Sequence, residues 1–334
     1  MPPAIEPEAV DRIALLGAGT IGASWAAHFL ARGFAVSAHD PAPDGERRMR
    51  DYIARAWPML EQLGLRPGAD PDRVSFHTDP AAAVRGAPFV QENAPERLEV
   101  KRELFAAAEP GLAPEAVVAS SSSGLLVSDI QEGRAGPERY VLGHPFNPPH
   151  LIPLVEVVGG RQTDPAVVDW TLAFYNAHGK RAIRINKEVM AHVANRLQAA
   201  MWREAVHLVN EGVASVEDVD AAIAYGPGLR WAIMGPHLIF HLAGGEGGMR
   251  HYLEHLGPSK QAWWADLGRP ELTPEVNAKL IAGVEAEARG RTPRELAAER
   301  DALLVALMRT LHNTREALAR ADEHPHEHGR ELDR

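Results

Sequence analysis

The chain of 334 residues contains no cysteine. Disulfides, thiolate metal sites and cysteine nucleophiles are therefore excluded together. It lacks any unbroken apolar run of about 18 residues, the least that a membrane-spanning helix needs. Its first residues, MPPAIEPEAVDR, have neither the basic start nor the apolar centre of a secretion signal, so a cytoplasmic protein is expected. Positive charge is in short supply: 35 Lys and Arg stand against 45 Asp and Glu, a formal net charge of -10. Nucleic acids and anionic membranes attract clustered cations, so neither is an expected partner. A small molecule is.

What is present fits a globular protein, with 45% hydrophobic residues and more length than one core usually fills. RIALL (12–16) reads as a strand that ends in GAGTIGASWAAHFLARG, where small and apolar residues recur at helical spacing from Ile21 to Leu30. FAVSAHD (34–40) completes a β-α-β unit. The alternation continues with a helix over 43–63, strands at 74–77 and 87–92, a helix over 98–108, and strands at 116–121, 140–146 and 151–158. Strands alternating with helices predict a doubly wound α/β sheet of the Rossmann type. Beyond about Arg184 the pattern turns helical. Residues 189–213 have apolar positions suited to one long, mostly buried helix, and Ser215 can cap the helix after it. The expected organisation is a sheet domain over 1–186, an all-α domain over 187–320 and a polar, frayed tail over 321–334. The tail's histidines have nothing to hold them in a coordination geometry, and no metal site is expected.

Gly17, Gly19 and Gly22 form GxGxxG between a strand and a helix, and Asp40 ends the next strand, eighteen residues after Gly22. Gly17 permits the tight turn, Gly19 lets backbone approach a pyrophosphate, and Gly22 lets helix and strand pack closely. The helix N-terminus, with Thr20 and Ile21, offers unpaired N–H groups to the phosphates. Asp40 would bind the adenosine ribose and repel a 2'-phosphate, so NAD is the expected cofactor, although Arg47 and Arg48 lie near in sequence.

The stretch GHPFNPPHLIPLVEVVGG (143–160) places His144 after one strand and Glu156 within the next, with a proline-rich excursion between. A base near neutral pH and a carboxylate to orient it suit the removal of a hydroxyl proton. The prolines would keep the loop stiff. Spacing alone is equally met by a loop histidine beside an unrelated glutamate.

Together, GAGTIGASWAAHFLARGFAVSAHD, ENAPERLEVKRELF, ASSSSGLLVSDI, the stretch just quoted and VANRLQAAMWREAVHLVNEG resemble the 3-hydroxyacyl-CoA dehydrogenase superfamily, in the same order and from Arg12 to about Leu318. The resemblance implies that His144 and Glu156 are the catalytic pair and that Ser123 and Asn195 hold the substrate oxygen. It adds Glu92, Asn93, Lys101 and Ser121 to the cofactor site. Ser121 stands where the superfamily places an asparagine near the nicotinamide, so that residue's role does not carry over directly. A homodimer formed through the helical half is also implied.

The serine run and residues 225–258 resemble the sub-branch of carnitine dehydrogenases, L-gulonate 3-dehydrogenase and the NAD-binding lambda-crystallins, the carnitine enzymes most. A lysine cluster that would serve coenzyme A is absent from the helix after the second strand, which favours a short free 3-hydroxy acid. A quaternary ammonium can be held over aromatic faces, each contact contributing about 0.5 to 2 kcal/mol. Phe146, Trp231, Tyr225 and Trp264 are candidates, with Asn147 beside the catalytic histidine. Arg230 or Arg250 could meet a carboxylate as a bidentate fork. Ordinary core packing is the alternative for each aromatic.

Overall fold

In a computed structural model, which describes residues 5–323, the first half of the chain alternates strands and helices. β1 (Arg12–Leu16), α1 (Thr20–Ala31), β2 (Ala35–His39), α2 (Gly45–Leu63) and β3 (Val74–His77) come first. α3 (Pro80–Val84), β4 (Phe89–Glu92), α4 (Leu98–Ala108), β5 (Val117–Ser120), α5 (Val127–Ile130) and β6 (Tyr140–Pro145) follow. β7 (Leu154–Gly159), α6 (Pro165–Ala177) and β8 (Arg181–Arg184) complete the sheet. Its order is β3-β2-β1-β4-β5-β6-β7-β8. β1 to β6 are parallel, β7 is antiparallel to β6, and β8 is parallel to β7.

Neighbouring residues of each strand enter different cores, as the two-residue period of a strand requires. Ile13 and Leu15 join a cluster with Trp25, Phe29, Phe89 and Phe174, while Ala14 and Leu16 join one with Phe105, Val118 and Tyr140. A sheet apolar on both faces must be covered on both, which is the doubly wound arrangement expected from the sequence. Four elements of the sheet domain escape the sequence reading, among them α3 and α5, of five and four residues. β8 is only RAIR, too short and too charged to stand out, and α6 announces itself only through Asp164, whose carboxylate accepts from the Ala166 N–H.

The chain divides into two compact units, residues up to Asn195 with Leu304–Arg309, and Arg196–Leu303 with the residues from Thr310 on. α7 (Ala194–Asn210), α8 (Val216–Ala224), α9 (Pro227–Trp231), α10 (Pro236–Ala243), α11 (Gly248–Asp266), α12 (Pro274–Ala288) and α13 (Pro293–Glu323) follow the sheet, with no strand among the described residues there. Ser215 caps α8 by accepting from the Asp218 N–H. The expected tail falls largely outside the described residues; its first three, 321–323, end α13.

One expectation is corrected. The helix drawn over 189–213 begins only at Ala194, because Ala191 and His192 take left-handed backbone angles, φ 63° and 54°. Nor is it mostly buried: Met190, Leu197 and Trp202 are exposed, and of α7 only Val206 is buried. Periodicity identifies an apolar face without saying what covers it.

Candidate active site

The glycine turn is built as its spacing demands. Gly17 has φ +98°, and a Cβ there would come within 2.8 Å of the Asn93 carbonyl group. A Cβ on Gly22 would sit 1.9 Å from the Gly17 oxygen, so α1 approaches β1 as closely as backbone allows. Gly19 meets nothing within 4 Å and caps α1 without a side-chain bond. The helix therefore presents first-turn N–H groups to open space, together with exposed Thr20 and half-buried Ile21. Asp40 is held at the end of β2 by two amides, with Ala18 N–H donating to Oδ2 at 2.7 Å and Ala42 N–H to Oδ1 at 2.9 Å. A cleft of about 320 Å³ beside the turn is lined by Gly19, Thr20, Arg48, Tyr52 and Arg55. Open turn, unpaired amides and a fixed carboxylate fit a dinucleotide's pyrophosphate and ribose. Arg47 and Arg48 pair with Asp44, and Arg47 also with Asp51.

His144 on β6 and Glu156 on β7 are register partners across the antiparallel pair. Opposed side chains in such a pair point the same way and touch. Glu156 Oε2 lies 2.9 Å from His144 Nδ1, and both residues are buried. The other oxygen, Oε1, accepts from the N–H groups of Val193 and Ala194, each at 2.9 Å, at the start of α7. Burial pushes the Glu156 carboxyl up, but the His144 bond and these two amides outweigh it and hold it below its ordinary value. The ionised carboxylate accepts a hydrogen bond from Nδ1–H, which leaves Nε2 able to accept a proton. A Cβ on Gly143 would lie 2.0 Å from the Tyr175 hydroxyl, so only glycine fits before this histidine.

The loop between the strands is fastened from its middle to its second end. His150 N–H donates to Ser24 Oγ on α1 at 2.9 Å, and buried Lys180 donates to the carbonyls of Pro149 and Ile152. Phe146 is half-buried and Asn147 exposed in this loop.

The serine run follows β5. Ser121 Oγ receives Trp25 Nε1–H at 3.2 Å and Gln91 Nε2–H at 2.7 Å, and donates to Asn93 Oδ1 at 2.7 Å. Ser123 is exposed, with Oγ 3.5 Å from Glu96 Oε1. Asn195 is the second residue of α7 and half-buried. His144, Glu156, Ser123 and Asn195 thus all belong to the first unit.

Other expected residues stand elsewhere. Glu92 and Lys101 are buried and joined at 2.7 Å, with Lys101 also donating to the Ala94 carbonyl, so their charged ends meet each other behind the turn that Asn93 opens. Arg230 and Trp231 lie on α9 in the second unit, both exposed. Tyr225 and Trp264 are 83% and 69% exposed, which rules out core packing for either within this chain. Arg250 is exposed on α11.

A family model described as the 3-hydroxyacyl-CoA dehydrogenase NAD binding domain matches residues 12–189, and one described as the C-terminal domain of the same family matches residues 192–271. The chain belongs to the 3-hydroxyacyl-CoA dehydrogenase family. It is an NAD-dependent oxidoreductase. A relative from Streptomyces griseus named L-carnitine dehydrogenase is 53% identical over 303 residues, 91% of this chain and 90% of that one. Another of that name, from Bacillus cereus, is 47% identical over 302 residues, 90% and 93% of the two chains. The solved structure of an NAD+-dependent dismutase, FHMPC 5-dehydrogenase, superposes with a TM-score of 0.78 at 32% identity, covering 91% of this chain and 99% of its own. The Escherichia coli 3-hydroxybutyryl-CoA dehydrogenase superposes at 0.60 with 28% identity, over 79% and 55%.

In this member of the 3-hydroxyacyl-CoA dehydrogenase family, three residues near the catalytic pair had not been singled out. Glu96 Oε1 gathers the Ser122 hydroxyl at 2.6 Å and the Gly124 N–H at 2.7 Å, shaping the serine turn. Gln91, fully buried, also donates to the Gly143 carbonyl at 3.1 Å. Its signal was a polar residue inside the apolar strand FVQE. His192 sits immediately before the amides that Glu156 binds, with no local pattern to mark it.

Proposed function

We propose that the chain oxidises the 3-hydroxyl of L-carnitine to 3-dehydrocarnitine with NAD+. The observation that carries the chemistry is the buried His144–Glu156 pair, whose carboxylate has both oxygens engaged and so aims one imidazole nitrogen outward. Relatives named L-carnitine dehydrogenase, at 44–53% identity over most of the chain, support the substrate.

His144 Nε2 accepts the hydroxyl proton while Glu156 stabilises the imidazolium that results. Ser123 and Asn195 donate to the substrate oxygen as it becomes a carbonyl. The glycine turn of Gly17, Gly19 and Gly22 would hold the dinucleotide, which would supply the hydride acceptor. Asp40 accepts from its ribose hydroxyls and disfavours a 2'-phosphate by like charge. Ser121, bonded to Asn93, would help hold the cofactor's nicotinamide end. In the reverse direction His144 returns its proton to the oxygen. Phe146 and Trp231 are the aromatic faces assigned to the quaternary ammonium, and Arg230 the partner of the carboxylate, with Asn147 beside the reacting carbon. The exposed apolar residues of α7 support a homodimer through the helical unit. The enzyme is assigned to the cytoplasm; among the described residues no helix is long and apolar enough to cross a membrane.

Reduced-nicotinamide formation measured with L-carnitine, L-gulonate and 3-hydroxybutyryl-CoA side by side tests this. Turnover with L-carnitine well above the other two is expected. Preference for either competitor moves the substrate assignment to it, and tight NAD binding without turnover of any would make the chain a binding protein. His144→Ala is expected to keep NAD affinity and lose turnover by roughly 100-fold or more.

A further inference from the structure

Just before α7, Ala191 and His192 hold φ angles of 63° and 54°. Residues other than glycine avoid this region, and such strain persists only where the surroundings impose it. Here the imposing contacts are specific. His192 is 2% exposed, and its Nε2 lies 3.0 Å from the Ser122 carbonyl oxygen. A carbonyl only accepts, so Nε2 carries the proton. Ser122 is itself pinned, its hydroxyl donating to Glu96 at 2.6 Å and accepting from the Leu125 N–H at 2.9 Å. On its other side, the ring centroid of His192 lies 5.1 Å from that of His144, tilted by 50°. The next two amides are those that bind Glu156, and Asn195 follows them.

We propose that His192 is a positioning residue for the dehydrogenase reaction: its bond to the Ser122 carbonyl ties the serine loop to the end of α7, and so sets Ser123 against His144 and Asn195. This rests on the catalytic roles given to His144, Ser123 and Asn195 above. The choice of residue follows from two demands. The Ser122 carbonyl is buried and needs a donor, because an unpaired buried acceptor is costly. The donor must also carry no charge beside His144, since a neighbouring cation would oppose the imidazolium formed when His144 takes its proton. Lysine and arginine fail the second demand, and aliphatic residues the first.

Histidine meets both. Burial lowers the tendency of His192 to protonate, and His144 lowers it further; the Ser122 bond and the carboxylates of Glu156 and Glu96 oppose this without reversing it. These groups face it from β6, from β7 and from the turn after β4.

The test compares His192→Asn with His192→Gln. Asparagine tolerates the left-handed backbone but is too short to reach Ser122, whereas glutamine places an amide nitrogen close to the position of Nε2. Turnover is measured with L-carnitine, or with 3-hydroxybutyryl-CoA if the wild type accepts only that, alongside NAD affinity and melting temperature. The asparagine variant is expected to lose roughly 10- to 100-fold in kcat, with NAD affinity and melting near wild type, because small misplacements of reacting groups have effects of this size. The glutamine variant is expected to recover most of that loss and keep the acid limb of the kcat/KM profile. Unchanged kcat in the asparagine variant overturns the proposal. So does a loss that tracks a fall in melting temperature, or a folded glutamine variant as impaired as asparagine. Should the asparagine variant not fold, His192→Phe, which keeps the ring and loses the donor, is read in the same way. His144→Ala is the separate control: if it retains turnover the catalytic reading itself fails, whereas an inactive His144→Ala beside a fully active His192→Asn removes only the role of His192.

Discussion

Glu156→Gln is the sharpest probe of the catalytic pair, because it changes no volume and removes one charge. Oε1 faces two N–H groups that can only donate, so the glutamine must turn its carbonyl oxygen towards Val193 and Ala194. Its NH2 group then faces His144 Nδ1, across what is a 2.9 Å contact in the wild type. That nitrogen must become the acceptor, which moves the imidazole proton to Nε2, where the substrate proton was to go. The opposite orientation sets NH2 against two amides. Either way the base is disabled without a cavity being opened. The lost charge adds to this: charge centres about 4 Å apart attract by about 4 kcal/mol at an effective dielectric of 20, and the imidazolium forgoes that help. A loss of about 4 kcal/mol in transition-state stabilisation corresponds to roughly a thousandfold in kcat. Steady-state turnover, NAD titration by fluorescence and a thermal melt would be compared. We expect kcat to fall by about that factor while NAD affinity stays within roughly twofold. A variant retaining more than about a tenth of wild-type kcat would refute the tautomer argument.

Two other outcomes follow from the geometry. Gly22→Ala brings a Cβ to 1.9 Å from the Gly17 carbonyl oxygen, so the turn must open; a loss of about 1 to 3 kcal/mol in stability and weakened NAD binding are expected in denaturant melts and titration, and wild-type values would contradict the packing role. In Glu156 and Glu96, burial raises the carboxyl pKa, but hydrogen bonds outweigh it and the folded value lies below the ordinary one. Stability from such groups is present above the ordinary carboxylate pKa and is lost as pH falls through the lower folded value. Thermal melts taken downwards from neutral pH should therefore show a steep acid limb that Glu156→Gln flattens; an unchanged limb would place the acid sensitivity elsewhere.

Much of the architecture is readable without coordinates. A glycine at 17 and another at 22 have meaning only where a strand turns into a helix, and Asp40 at the end of the next strand completes the cofactor turn. The first seven strands are legible because residues apolar on both faces leave few alternatives to a covered sheet. The His144–Glu156 distance was half legible: twelve residues with prolines between suggest a strand leaving and returning, but spacing cannot choose the register that sets the two face to face. α3, α5 and β8 are too short to show a period, and α6 is too apolar on all sides for its spacing to stand out behind the Asp164 cap.

What the sequence determined by itself is local: where turns must be glycine, which faces are apolar, in what order strand and helix alternate, and the family that this order of motifs resembles. Partners were decided by the tertiary structure. Glu156 caps α7 across 37 and 38 residues, Ser121 meets Trp25 across 96, and His192 reaches Ser122 across 70. Such bonds depend on which elements the sheet order brings side by side, and a repeat of two or 3.6 residues carries no record of that order. For the same reason, apolar α7 read as buried and stands exposed in the folded chain: period records that a face wants cover, and only the assembled structure supplies it.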